Sequence, residues 1–241
     1  MLREGLDIQV LKKLGISAKG EPDLEKWKSF LYRLKNPLTE VNIGLVGKYV
    51  ELKDAYKSIS EAFIHAGAAT QCKVKIKWIH SEKLEDNPDC IQEELQGLNG
   101  ILVAPGFGSR GIEGKIMAVR YARENKIPFL GICLGMQCAV IEFARNVLGY
   151  KDAHSVEMSA STTHPVIDIM EEQKLIQNMG GTMRLGAYPC KLKENTKIYS
   201  AYQKENISER HRHRYEFNNA YLEAFEQAGM IASGINPDTN L

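Results

Sequence analysis

"IPFLGICLGMQCAV", residues 127–140, is the stretch on which the reading of the chain turns. Residues Ile127 to Ile132 form an apolar run, and a helical spacing follows as far as Gly149. That pattern is a buried strand feeding a helix, with Cys133 at the joint between Gly131 and Gly135. A cysteine there is either ordinary core filling, as free thiols often are, or the nucleophile of an enzyme. G-x-C-x-G has the form of a nucleophile elbow with Cys in place of Ser. A tight strand-to-helix turn strains the backbone of the central residue, and flanking glycines remove side chains that would clash. The helix N-terminus favours thiolate through its dipole and free amides. The N–H of Leu134 faces any oxyanion formed on a substrate carbonyl.

Working outward, "GILVAPGFG" (100–108) is a second buried strand with a Gly-rich exit. Pro105 has no N–H to donate, whereas Gly106 has one and lacks the Cβ that would hinder approach. A neighbouring-loop amide of this kind completes an oxyanion hole; the plain alternative is a strand-ending turn. Between Val41 and Gly149, strands ("VNIGLVGKYV", "CKVKIKWIH") alternate with helices ("AYKSISEAFIHAGAA", "CIQEELQGLNG", "EGKIMAVRYARENK"). Alternation of this kind predicts an α/β fold with a mostly parallel central sheet and helices on both faces. Ligands bind such sheets at the carboxyl ends of the strands, where both Gly-rich exits lie. Beyond residue 150 the pattern loosens and predicts antiparallel strands and long loops. Before residue 40 it predicts two helices, around Ile8–Leu14 and Leu24–Leu34, the second entered at Pro22 and Asp23, then a linker at "KNPLTE".

The 31 basic and 30 acidic side chains leave a net charge of +1, so no global field points to nucleic acid or an acidic membrane. No apolar run approaches the roughly 18 residues of a membrane span. The cysteines (72, 90, 133, 138, 190) are odd in number, and the Cys133–Cys138 spacing lacks a second pair to complete a zinc set. Reduced thiols in a cytoplasm fit this usage.

"GICLGMQ", with "PGFGSRGIEGK" (105–115) upstream, resembles the class I glutamine amidotransferases, and within them the CTP synthase family. "GLVGKYVELKDAYKSISEA" (44–62), "GGTMRLG" (180–186) and "ERHRHRYEFNN" (209–219) extend the likeness over nearly everything from Val41. The resemblance implies a flavodoxin-like sheet in residues 41–241 and a connector from a synthetase domain in residues 1–40. It implies that Cys133 attacks the side-chain amide of L-glutamine, with Gly106 and Leu134 stabilising the oxyanion. Residues Leu134, Gly135, Met136 and Gln137 would hold substrate, Glu157 its α-ammonium and Arg212 its α-carboxylate. "GGTMRLG" would be a lid through which GTP acts as allosteric activator, with Arg184, Leu185 and Lys57 as candidate contacts. No cofactor is expected in this chain; ATP and Mg2+ belong to the synthetase half, and a homotetramer to the whole enzyme. A carboxylate for the ammonium and an arginine for the carboxylate suit a free amino acid. Even so, Glu157 could be a solvated acid and "RHRHR" an exposed basic strand. Neither His211 nor His213 reads as catalytic.

Two departures stand out. The oxyanion loop has Ala104-Pro105-Gly106 where the family has two glycines after a proline. The family's general base, a histidine in an H-P-E segment, has no counterpart: the sequence ends at "GINPDTNL", and His164, in "THPVID", precedes Pro and Val. The expectation is a truncated glutaminase that is not competent alone. The alternative is a non-catalytic regulatory or assembly module of the same fold.

Overall fold

The computed structural model describes residues 4–17, 20–169 and 183–240. The chain divides into two compact units, one of Met1–Glu40 with Ile59–Val74, the other of Val41–Ser58 with Lys75–Leu241. The first holds α1 (Leu6–Lys13), α2 (Glu25–Lys35) and most of α3 (Lys57–Thr70). Trp27 stacks on Phe30 at 5.5 Å, and Phe30 meets His65 at 5.3 Å. Asp23 accepts the Glu25 amide N–H at 3.0 Å, so the expected entry signal operates two residues before the helix begins.

In the second unit the register of the central sheet sets where the chemistry can be. Its strand order is β2-β1-β3-β4, from β1 (Thr39–Gly47), β2 (Cys72–His80), β3 (Gly100–Val103) and β4 (Phe129–Gly131). β1 pairs with β3 and β3 with β4, both in parallel, so Val46, Val103 and Gly131 lie abreast. Successive side chains of a strand point to opposite faces. All four residues of β3 are buried, so both its faces are covered, whereas exposure alternates along β2 at the sheet's edge. Strands β1, β3 and β4 end at the same rim. Lys48 follows β1, the loop Ala104–Gly108 follows β3, and Cys133 follows β4.

Short helices α4 (Ser81–Asp86) and α5 (Ile91–Leu95) precede β3; α6 (Ile112–Glu124) and α7 (Leu134–Asn146) flank β4 in sequence. Two charged clamps join the last two. Glu142, buried on α7, takes Arg123 of α6 through Nη2 at 2.8 Å and Nε at 3.0 Å. Arg145 of α7 reaches both oxygens of Glu113 at 2.9 and 3.0 Å. Bidentate pairs of this kind fix geometry as well as energy.

β5 (His154–Ser155), β6 (Pro165–Ile169) and β9 (Tyr215–Phe217) form one small sheet, ordered β5-β6-β9. The ribbon of β7 (Arg184–Leu192) and β8 (Asn206–His213) forms another with β10 (Gly234–Ile235). Among these remaining described strands the pairs β6–β9, β7–β8 and β7–β10 are antiparallel, as the loosened pattern predicts, while the short β5 joins β6 in parallel. Helices α8 (Lys197–Tyr202) and α9 (Leu222–Gln227) complete the described elements. Phe225 of α9 packs on Phe143 of α7 and Phe217 of β9, centroids 5.5 and 5.2 Å apart, joining the small sheet to the core. Among the described residues no helix is long and apolar enough to cross a membrane.

Both glycines of the elbow are packing requirements. A Cβ at Gly131 would lie 2.5 Å from the Gly135 carbonyl, and one at Gly135 would overlap the Val103 carbonyl oxygen. Gly149, by contrast, has φ +82° with open space around it. Gly135→Ala is therefore expected to lose about 3 kcal/mol or more through overpacking, and Gly149→Ala about 1 kcal/mol through backbone strain. Urea denaturation of the two variants measures the difference.

Candidate active site

Cys133 caps α7 with φ 53° and ψ −109°, a left-handed φ that non-glycine residues seldom adopt. Its carbonyl accepts the amides of Met136 and Gln137 at 3.0 and 3.1 Å, and Ile132 takes that of Gly135 at 2.9 Å. The first-turn amide left over belongs to Leu134, and it favours negative charge on the Cys133 sulfur. The strain thus turns the thiol toward the free amide end of the helix. A cavity of about 50 Å³ opens over the sulfur, lined by Gly106, Phe107, Gln137, Glu157, Met183, His213, Arg214 and Tyr215. It adjoins a larger cleft of about 610 Å³ that shares Cys133, Gln137, His213 and Tyr215 and adds Met136, Arg212 and apolar residues of α7 and α9.

The oxyanion loop comes to this place from β3. A Cβ on Gly106 would stand 3.4 Å from Cδ2 of Leu134, so the two expected donors are neighbours. The Gly108 N–H donates to Oε1 of Glu157 at 3.1 Å, which ties the loop to the segment after β5. Gln137 is 4% exposed; its Nε2 donates to the Tyr215 carbonyl at 3.1 Å, and its Oε1 is buried with no partner.

Cys133, Gly106, Gln137 and Glu157 therefore meet at one cavity, with Leu134 and Gly135 forming the floor turn and Met136 half-exposed at the mouth of the cleft. Arg212 does not join them. It is exposed on β8 and reaches only the larger cleft, while Arg214 lines the small cavity. Strict alternation would put both arginines on one face, but β8 ends at His213, and Arg214 sits in the bend before β9. Arg184 is buried rather than presented to a nucleotide. Its Nη1 meets Glu216 at 2.8 Å, and its guanidinium lies 4.3 Å over the Tyr188 ring. Leu185 is exposed beside it, and Lys57 is exposed at the start of α3, lining neither cavity. Gly180, Gly181 and Thr182 of the expected lid lie outside the described residues.

The thiol also departs from expectation in its acidity. Burial pushes Cys133 above its ordinary 9.0, and Glu157 adds to the rise. The Leu134 N–H and Lys115 pull it down without winning. The expected helix-end stabilisation is present, but desolvation outweighs it.

Two groups at the site went unread in the sequence. Lys115 is 0% exposed, and its Nζ donates to the Ala104 carbonyl at 2.7 Å. Lys48 is buried and donates to the carbonyls of Phe107 at 2.6 Å and Gly108 at 2.9 Å. Lysines in "VGKYV" and "IEGKI" look like ordinary surface charges; the signal was their position at strand ends and amid apolar helix residues. His213 was seen but discounted. It lines the cavity, with Nε2 on Glu216 at 2.7 Å. His164 is held by Asp152 at 2.6 Å and stacked on Tyr150, away from both cavities.

The family model described as glutamine amidotransferase class-I matches residues 51–240. A CTP synthase of Cytophaga hutchinsonii is 66% identical over all 241 residues, which cover 44% of that protein. One from Bacteroides fragilis is 58% identical, again across the whole chain and 45% of the relative. The chain thus spans under half the length of these relatives. Among solved structures, the glutaminase domain of Trypanosoma brucei CTPS with bound acivicin has a TM-score of 0.77 at 40% identity, covering 83% of this chain and 77% of that one.

Two measurements probe the site's electrostatics. Alkylation of Cys133 by iodoacetamide, followed by peptide mass spectrometry, should still be accelerating above pH 9, because burial holds the thiol above that value; a helix-activated thiolate would level off near neutrality. Burial pushes Glu216 up, but bonds from His213 and Arg184 prevail and hold it below its ordinary 4.5. Its contribution to stability is therefore complete above pH 4.5 and lost as pH falls through the lower folded value. Glu216→Gln should lose about 3 kcal/mol at neutral pH, and its denaturation curve should converge on the wild type in acid.

Proposed function

The chain belongs to the class-I glutamine amidotransferase family, and from that premise we propose that it is the glutaminase part of a CTP synthase-type enzyme. The observation that carries this reading is the strained Cys133 at the N-terminus of α7, opening into one cavity with Gly106, Glu157 and Arg214. A free amino acid with an amide side chain fits those groups. Glu157 complements the α-ammonium, Arg214 the α-carboxylate, and the unpartnered Oε1 of Gln137 can accept an N–H.

The chemistry follows from the placement. The Cys133 thiolate attacks the amide carbon, forming a C–S bond while the carbonyl electron pair moves onto oxygen between the Gly106 and Leu134 amides. Collapse breaks the C–N bond, and the nitrogen leaves with an added proton as ammonia. Water then cleaves the thioester, returning the thiol and releasing glutamate. One imidazole stands at the cavity among the described residues, His213, and its Nε2 is committed to Glu216. Positioned proton transfer is typically worth 10²–10⁴-fold, so this polypeptide should acylate or alkylate more readily than it turns over.

In the longer enzyme, the ammonia would serve ATP- and Mg2+-dependent amination of UTP to CTP in a synthetase domain, reached through residues 1–40. GTP would act as allosteric activator, with Leu185 and Lys57 as exposed candidates near its lid, and the whole would work as a cytoplasmic homotetramer. The described cysteines are all free thiols, which suits a reducing compartment. The bound acivicin of the trypanosomal domain is the natural probe. Acivicin should label Cys133 stoichiometrically, and Cys133→Ser should abolish labelling. Arg214→Met should raise the apparent inhibition constant on the order of 10²-fold, as loss of one partner of a charge pair does, while Arg212→Met leaves it within about twofold. Labelling that ignores Arg214 and responds to Arg212 would return the carboxylate to the arginine first expected.

A further inference from the structure

Three carbonyls of the loop that carries Gly106 are held by two buried ammonium groups. Lys115 of α6 holds the Ala104 carbonyl at 2.7 Å. Lys48, just past β1, holds those of Phe107 and Gly108 at 2.6 and 2.9 Å. Gly106 lies between them, its Cβ position 3.6 Å from Lys115 Nζ and 4.0 Å from Lys48 Cε. The Lys115 bond fixes the Ala104–Pro105 peptide that leads into Gly106; the Lys48 bond draws in the Phe107 carbonyl, and because the C=O and N–H of one peptide point opposite ways, the Gly108 N–H turns away from the cation. The Gly108 N–H shows this directly, donating to Glu157 at the cavity.

We infer that Lys115 and Lys48 are positioning residues for the glutaminase reaction, with Lys115 orienting the Gly106 oxyanion donor and Lys48 the Gly108–Glu157 end of the substrate site. The inference rests on the reading of Cys133 as nucleophile. Neither lysine touches the cavity, so neither binds substrate; both act through the backbone they hold. Burying an ammonium is expensive unless it is hydrogen-bonded, and the fold tolerates two here because the loop carbonyls solvate them. A surface loop needs no such anchor.

Electrostatics adds a second contribution. Burial draws Lys115 down to about 8, with Lys48 lowering it further and the Cys138 and Cys133 thiols opposing. Burial and Arg110 lower Lys48 as well, against Cys138, Glu157 and Glu82. In the opposite direction, Lys115 lowers the Cys133 thiol against its burial. The lysine thus favours negative charge twice, first on sulfur and then on the oxyanion. The α6–α7 clamps, Arg123–Glu142 and Arg145–Glu113, keep Lys115 at fixed distance from the elbow.

The test is inactivation by acivicin, followed as label on Cys133 in the full 241-residue chain, with folding of each variant checked by circular dichroism and thermal melting. Lys115→Met should lower kinact on the order of 10²-fold, the usual effect of losing an oxyanion donor, with KI within about twofold of wild type. Lys115→Gln keeps an N–H for the Ala104 carbonyl and should recover part of the loss. Lys48→Met should instead raise KI about tenfold, the equivalent of one lost hydrogen bond. If Lys115→Met fails to fold, Lys115→Gln and Lys48→Met carry the same comparison. A folded Lys115 variant with wild-type kinact would overturn the inference, as would a change confined to KI. Absence of label on the wild type would overturn the nucleophile reading itself, a distinct result.

Discussion

Everything at the site depends on how closely α7 can approach the end of β3. Gly135 lies against the Val103 carbonyl with no room for a Cβ, and Gly131 lies equally close to the Gly135–Met136 peptide. That approach lets the chain reverse from strand to helix within Ile132 and Cys133, and it transfers the resulting strain to Cys133 rather than dissipating it along the turn. A larger residue at either glycine would lift the helix away, and with it the Leu134 amide. The thiol and its donor are therefore set by the same backbone contact.

Around that corner the site balances opposed electrostatic requirements. The cavity is closed enough that desolvation raises the thiol, yet the reaction generates negative charge on sulfur and then on oxygen. The fold answers with fixed positive partners rather than with water. They are the N-terminus of α7, a 13-residue helix, and two ammonium groups beneath the neighbouring loop. Fixed dipoles and charges in a low-dielectric pocket act without reorganising as charge develops. The same burial that makes the thiol reluctant makes those partners more effective.

The antiparallel ribbon supplies the opposite wall through a second buried network. Glu216 accepts from both Arg184 and His213, while Arg184 also covers Tyr188. This triad holds β7, β8 and β9 in one arrangement and leaves Arg214 in the bend, facing the cavity. Arg184 is thus a structural charge. Its burial explains why an arginine in a Gly-rich segment, which reads as a surface contact in sequence, is not free for a nucleotide.

What the amino-acid order determined by itself was the local chemistry. Apolar strands alternating with amphipathic helices specify a parallel sheet, because only strands covered on both faces read that way. The glycine–cysteine–glycine spacing specifies an elbow, since both positions exclude a side chain. Those features are encoded within a few residues and survive being read one segment at a time. The tertiary structure decided which charges meet. Lys48 and Lys115 become buried anchors only because two strand ends and α6 converge on one loop, and the pKa of Cys133 turns on how much water that convergence removes. Arg214 lines the small cavity and Arg212 does not, because a strand break interrupts alternation where β8 passes into β9. Burial and charge proximity are sums over segments distant in sequence, so no single stretch of residues contains them.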